Sequence, residues 1–239
     1  MKLSIIIPTL NEVRYLAAAI ATVRGRAVQG APFEIIVADC GSQDGTADLA
    51  TRLGVRVVTK DPPLDSRAAA VNAGADRATG DVLLFLDADS IVPRGYDRAI
   101  ERALRDPHTV GGAFEFALDG PEFGLRLVEL LNRVRYRIWP YYYGDQGVFL
   151  RTDVFRRLGG YPRRRIMEAS DFCRMLNRKG KLVLIHRPMK TSPRRFLEGG
   201  VYSMLAHDIR LWVLDVLCLS TEGYGIAYQD DNRRRGRIP

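Results

Sequence analysis

The stretch LLFLDADS, residues 83–90, decides how this chain is read. Leu83, Leu84, Phe85 and Leu86 follow one another with no polar alternation, the pattern of a strand covered on both faces in a parallel sheet. The run ends in Asp87 and Asp89, separated only by Ala88. Two carboxylates that close repel each other and resist desolvation, so they require a cation, a proton or open water. An Asp-x-Asp pair also occurs in ordinary loops after strands, and its meaning depends on its surroundings.

Upstream, short apolar runs alternate with helical patterns. LSIIIP (3–8), FEIIVADC (33–40), VRVVT (55–59) and DVLLFLDADS (81–90) read as strands. Between them, NEVRYLAAAIATVRG (11–25), SQDGTADLATRLG (42–54) and SRAAAVNAGADRATG (66–80) read as helices. Asn11 is the N-cap candidate of the first, Gly54 closes the second, and Asp44 is read as a cap. This β-α-β-α-β-α-β order predicts an α/β fold, a mostly parallel sheet with right-handed crossovers and helices on both faces. Ligands of such sheets gather outside the carboxyl ends of the strands. Polar residues collect there: Pro8, Thr9 and Glu12 after the first strand, Asp39, Gly41 and Ser42 after the second, Asp87 and Asp89 after the fourth.

Beyond residue 108 the pattern changes. TVGGAFEFAL (109–118), GDQGVFLR (144–151) and KLVLIH (181–186) read as strands. PEFGLRLVELLNRVRYRI (121–138) reads as an amphipathic helix, and TDVFRRLGG (152–160) and EASDFCRMLNRKG (168–180) as two more. GVYSMLAHDIRLWVLDVLCL (200–219) has the length of a membrane span, but His207, Asp208, Arg210 and Asp215 argue against one. A core helix, a subunit contact and an interfacial helix are the readings left, in that order.

With 239 residues, 46% of them hydrophobic and 27% charged, the chain has the composition of a folded protein. Cys40, Cys173 and Cys218 are scattered, which suits a reduced compartment and makes no zinc site. The opening apolar run breaks at Pro8, short of a signal peptide. A cytoplasmic protein is expected, with peripheral contact at the inner face of a membrane left open. The net charge of +8 suits phosphorylated small molecules, anionic lipid or nucleic acid. No basic motif interleaved with aromatics supports nucleic acid. The arginines gather in RRRIMEA (163–169), SPRRF (192–196) and NRRRGRIP (232–239), and residues 231–239 read as a solvated basic tail.

Taken together, SIIIPTLNE (4–12), IIVADCGSQDGT (35–46), RAAAVNAGADRATGDVLLFLDADS (67–90), GDQGVFLRTDVFRRLGGYP (144–162) and MEASDF (167–172) resemble the inverting glycosyltransferases of family 2. The resemblance spans roughly residues 2–190. It implies the GT-A fold of nucleotide-diphospho-sugar transferases, a UDP- or GDP-sugar donor and Mn²⁺ or Mg²⁺. It also implies a transferase domain over 1–190, with a donor half (1–107) and an acceptor half (108–190). A C-terminal loop and helix (191–230) precede the tail. An unknown acceptor, offering a hydroxyl or a phosphate, completes the partners, and a homodimer stays open.

By the same resemblance, Pro8, Thr9 and Glu12 line the base and ribose. Asp39 accepts from the base ring beside the close turn of Gly41 and Ser42. Arg67 and Asn72 match an R-x-x-A-x-N-x-G pattern near the diphosphate, and Arg194 and Arg195 clamp it from a C-terminal loop. Asp87, Ala88 and Asp89 fall on the DxD motif, with both aspartates as metal ligands and His186 a further candidate. Asp145 and Gln146 fall on the acceptor side. The base comes from an E-D pair at a helix start, but here Ala169 stands where the second acid is expected, leaving Glu168 and Asp171 as candidates. For several residues a plainer role competes: an Asx turn for Asp39, a helix cap for Ser42, a surface arginine for Arg67, a dipole partner for Glu168. Two further readings follow, a polyprenyl-phosphate glycosyltransferase at a membrane surface and a catalytically impaired nucleotide-sugar binder. A nucleotidyltransferase is disfavoured, because no glycine-rich, lysine-containing phosphate loop follows the first strand.

Overall fold

A computed structural model describes residues 1–217 except 29, 140 and 163–166, together with 219 and 221. The basic tail, the arginines at 163–165 and Cys218 lie outside the described residues. Four strands, β1 (Leu3–Thr9), β2 (Phe33–Asp39), β3 (Arg56–Val58) and β4 (Val82–Phe85), run parallel in the order β3-β2-β1-β4. The sheet continues through β7 (Phe149–Arg151), antiparallel to β4, then β6 (Thr109–Leu118), β8 (Lys181–Thr191) and β5 (Ser90–Ile91). Eight strands thus form one mixed, mostly parallel sheet.

The helices are α1 (Val13–Arg26), α2 (Thr46–Arg52), α3 (Arg67–Asp76), α4 (Tyr96–Ala103), α5 (Phe123–Ile138), α6 (Thr152–Leu158), α7 (Glu168–Asn177), α8 (Arg194–Gly199) and α9 (Val201–Val216). All of β4 is buried, as its unbroken apolar run requires. Leu16, Ile20 and Val23 of α1 cover one face of the sheet; Ala68, Val71 and Ala75 of α3 pack within the core of the other. The small residues of α3 let its backbone lie close to β1. A Cβ added at Gly74 would stand 2.6 Å from the Ile6 side chain.

Several local expectations change. Residues 144–151 do not form one strand: Gly144–Gln146 is a 3-10 turn and only Phe149–Arg151 is extended. The Gln146 side chain holds that turn by accepting from the Tyr143 N–H at 3.0 Å, and Gly147 then leaves it at φ +60°. Strand β8 does not stop at His186; it bulges at 186–187, passing from the Phe114–Ile185 pair to Glu115–Pro188, and runs on to Thr191. Asn11 does not cap α1. Its backbone sits at φ +56° and its Oδ1 accepts from the Gln43 N–H at 2.9 Å. Asp44 serves instead, accepting from the N–H groups of Val13 (3.1 Å) and Thr46 (3.0 Å) at the starts of α1 and α2.

Strand β6 is pressed between β7 and β8 at Gly112, where an added Cβ would meet the Val183 carbonyl oxygen and the Phe149 ring. Gly112→Ala is expected to cost about 1–3 kcal/mol, as overpacking does. A lowered urea midpoint checks this, and an unchanged one contradicts it.

Candidate active site

The ends of β1, β2 and β4 meet at one rim of the sheet, where the parallel register places Pro8 opposite Ala38 and Thr9 opposite Asp39. Buried Asp39 holds this corner together. Its carboxylate accepts from the hydroxyls of Thr9 (2.9 Å) and Ser42 (2.5 Å) and from the N–H groups of Gly41 (2.9 Å) and Ser42 (2.8 Å). Gly41 turns the chain at φ +92°, a conformation that suits glycine. Pro8, Thr9, Asp39, Gly41 and Ser42 are therefore one rigid unit, built as an Asx turn.

Two arginines organise the acids beside it. Arg67, the first residue of α3, donates to Asp87 Oδ1 from Nη2 (2.7 Å) and Nε (3.1 Å), and from Nη1 to Glu168 Oε1 at 3.2 Å. Arg194, the first residue of α8, places Nη2 at 2.6 Å from Glu12 Oε1 and Nε at 3.1 Å from Asp89 Oδ2, over the Tyr15 ring. Thr191 adds a hydroxyl at 3.3 Å from Asp89 Oδ1. The turn carrying Asp145 lies against Arg67, since a side chain at Gly144 would strike that guanidinium.

The charges do not balance. Burial pushes the Asp89 carboxyl up to about 6; Arg194 offsets part of this, while Asp87 and Glu12 add to it. Burial also raises Asp145 to about 6, with Asp87 next in effect. Glu12 is raised by burial as well, and its Oε2 is buried with no partner among the described residues. A rim with surplus negative charge and an unpartnered buried oxygen fits a divalent cation, which takes hard oxygen donors. No group of three His, Cys, Asp or Glu that could hold a metal is found among the described residues. Asp87 and Asp89 would therefore share the ion with phosphate oxygens and water, as Mg²⁺ and Mn²⁺ sites commonly do.

Other candidates lie apart from this group. Both ends of the Asn72 amide are engaged by Tyr161, donating to its carbonyl (3.0 Å) and accepting from its N–H (2.8 Å). Gln146 is buried and donates to the Phe114 carbonyl at 3.1 Å. Arg195 turns to Asp208 of α9 at 2.5 Å, so of the pair Arg194 makes the ion pairs with Glu12 and Asp89, while Arg195 acts on Asp145 only through space. Asp171 pairs with Arg174 (2.8 Å), which also grips Asp215 (2.7 Å). His186 is exposed in the β8 bulge. Thr191 was missed because a strand read as ending at His186 leaves it in a loop.

A model of the family "Glycosyl transferase family 2" matches residues 4–179. The chain belongs to glycosyl transferase family 2. Among curated members, it is 37% identical over 106 residues to an uncharacterized glycosyltransferase of Nostoc sp., covering 42% of this chain and 32% of that one. It is 39% identical over 95 residues to the dolichol-phosphate mannosyltransferase of Pyrococcus furiosus, covering 37% and 26%. The matched stretches thus span about a third or less of those relatives. Among solved structures, Staphylococcus aureus TarS superposes with TM-score 0.63 at 18% identity, over 87% of this chain and 65% of that one. The mannosyltransferase PcManGT of Pyrobaculum calidifontis, in complex with GDP-Man and Mn²⁺, gives 0.61 at 19% identity, over 79% and 56%. The shared architecture is the GT-A fold.

In this family 2 chain, Asn72→Ala strips both partners from the Tyr161 backbone. A loss of about 1–3 kcal/mol is expected from the groups left unpaired, read as a lower denaturation midpoint. An unchanged midpoint would show that water replaces the amide.

Proposed function

We propose that this chain is a metal-dependent inverting glycosyltransferase that moves a sugar from a UDP- or GDP-sugar to an acceptor hydroxyl or phosphate. The observation that carries the reading is the single guanidinium of Arg67 joining Asp87 of the DxD pair to Glu168 at the start of α7. That link supports Glu168, whose side chain is 12% exposed, as the base that an in-line attack needs beside the DxD pair. TarS in complex with UDP-GlcNAc and PcManGT with GDP-Man are structural neighbours, which supports a nucleotide-sugar donor.

Each part of the rim has work in this reading. The Asp39 corner receives the nucleoside. Asp87 and Asp89 would hold a divalent ion, which would supply Lewis-acid stabilisation to a leaving diphosphate. Arg194 turns from Glu12 and Asp89 toward the phosphates, exchanging one anionic partner for another. Glu168 takes the acceptor proton, and Asp145, with no hydrogen bond among the described residues, orients the acceptor. The position of Ala169 supports Glu168 rather than an impaired site. Its methyl is buried in the core cluster that includes Tyr161 and Phe172, so an acid there would point into apolar packing. Asp171 is committed to Arg174 and serves the fold.

Two measurements test this. Glu168→Gln should slow transfer by a factor of roughly 10² or more with donor affinity little changed, whereas Asp171→Asn should cost much less. The opposite ranking would give the base to Asp171. In a thermal-shift panel of nucleotide sugars with and without Mn²⁺, the correct donor should raise the melting temperature of the unmodified chain most when Mn²⁺ is present. Asp89→Ala should keep the fold and lose that metal-dependent increment; if the increment survives, the ion is held elsewhere.

A further inference from the structure

Helix α5 carries apolar side chains on the wrong side for a globular helix. Leu125, Val128 and Tyr136 are buried, as a core-facing stripe should be. Yet Phe123, Leu130, Val134 and Ile138 are also apolar, and they are exposed, Phe123 by 81%. At 100° per residue these four fall within one narrow stripe opposite the core side. Helix α9 repeats the pattern. Tyr202, Ile209, Val213 and Leu217 are exposed along one stripe, while Asp208 and Asp215 are buried at 9% and 2%. Those acids pair inward, with Arg195 and Arg174.

The two helices run parallel and side by side. Gly124 abuts Val201 near their starts, and about three turns further along both helices the Arg135 guanidinium lies 5.2 Å over the Trp212 ring. On each helix the exposed stripe lies about a quarter turn from the face that meets its neighbour, away from the core. Two parallel helices so oriented present both stripes in one direction, as a single apolar face. Arg126, Arg133 and Arg137 border it on the α5 side and Arg210 on the α9 side, all exposed. Arg126 and Arg133 keep carboxylate partners, Glu129 and Glu115, and Arg210 is engaged within the protein as well. The acids within the two helices, Glu129, Asp208 and Asp215, are all buried. Charge is therefore sorted: apolar centre, cationic borders, anions inside.

We propose that the α5–α9 face docks on the surface of a bilayer containing anionic lipid. The centre would enter the boundary of headgroups and acyl chains, and the arginine borders would meet lipid phosphates. No helix among the described residues is long and apolar enough to cross a membrane, so the helices would lie in the interface. The charge pattern favours lipid over a second copy of this chain, since an isologous contact would bring like arginine borders to one seam. The docking stands apart from the transfer reading, because binding needs no turnover.

Co-sedimentation of the full chain with vesicles tests it. Binding is expected to mixed phosphatidylcholine–phosphatidylglycerol vesicles, weaker with phosphatidylcholine alone, and falling as salt rises. Val134→Asp with Val213→Asp should reduce it roughly tenfold or more at an unchanged melting temperature. Arg133→Gln with Arg137→Gln should lower binding to the anionic vesicles by roughly tenfold and leave binding to neutral ones as it was. Failure of the unmodified chain to bind either vesicle would overturn the proposal, as would undiminished binding by the Asp pair. So would a dimer in sedimentation equilibrium that the Asp pair splits, with no vesicle binding, which would assign the face to a second copy.

Discussion

Beside the Asp39 corner, five carboxylates crowd the rim of this sheet, and two guanidiniums pair with four of them. Arg67 is shared by Asp87 and Glu168, Arg194 by Glu12 and Asp89, and Asp145 is raised by burial with Asp87 next in effect. Each arginine joins segments far apart in the chain: Arg67 links the loop after β4 to α7, and Arg194 links it to the loop after β1. Their ion pairs are part-exposed, so singly they contribute little. As a network they add to the β4–β7 and β5–β8 pairings and the shared core that join the second half of the chain to the first. The rim remains short of positive charge, which is the condition a phosphate-bound divalent ion relieves.

This constraint explains why the rest of the site is rigid. Asp39 is satisfied four times over by neighbours within its own turn and by Thr9, so this corner is preformed. Asn72 and Gln146 fix backbone on either side of the acids, at Tyr161 and at Phe114. Residues that look like ligand contacts in a motif can instead hold the loops that carry the contacts. The amide of Asn72 is the clearest instance, for a Cβ at Gly160 would press on it at 2.6 Å.

Most of the fold was legible because its signals are local. Unbroken apolar runs such as 83–86 mark strands buried on both faces, and the strand–helix alternation leaves few topologies. What escaped depends on partners distant in sequence. The bulge at 186–187 comes from pairing with β6, and nothing within KLVLIH announces that the strand resumes and delivers Thr191 to Asp89. The 3-10 turn at Gly144–Gln146 was hidden because Gln146 acts through its side chain, against a strand-like composition. The rim residues were found by motif resemblance, but their pairing was not. Asp171 shares a helix with Glu168 three residues away, yet Arg174 and Asp215 draw it into a separate cluster.

Helix α9 shows how the same ambiguity can invert a reading. In sequence, Asp208 and Asp215 interrupt an apolar run and argue against a membrane span, leaving a core helix, a subunit contact or an interfacial helix. In the structure those acids are the buried groups, because Arg195 and Arg174 from α8 and α7 meet them inside. A buried carboxylate is tolerable only when so paired. With Asp208 and Asp215 taken inward, the large apolar side chains that face water along α9 and at its C-cap are Tyr202, Ile209, Val213 and Leu217. Water is a poor neighbour for such a stripe, and α5 doubles it. The ion pairs that tie α9 to α8 and α7 thus accompany a packing in which its apolar side faces away from the protein.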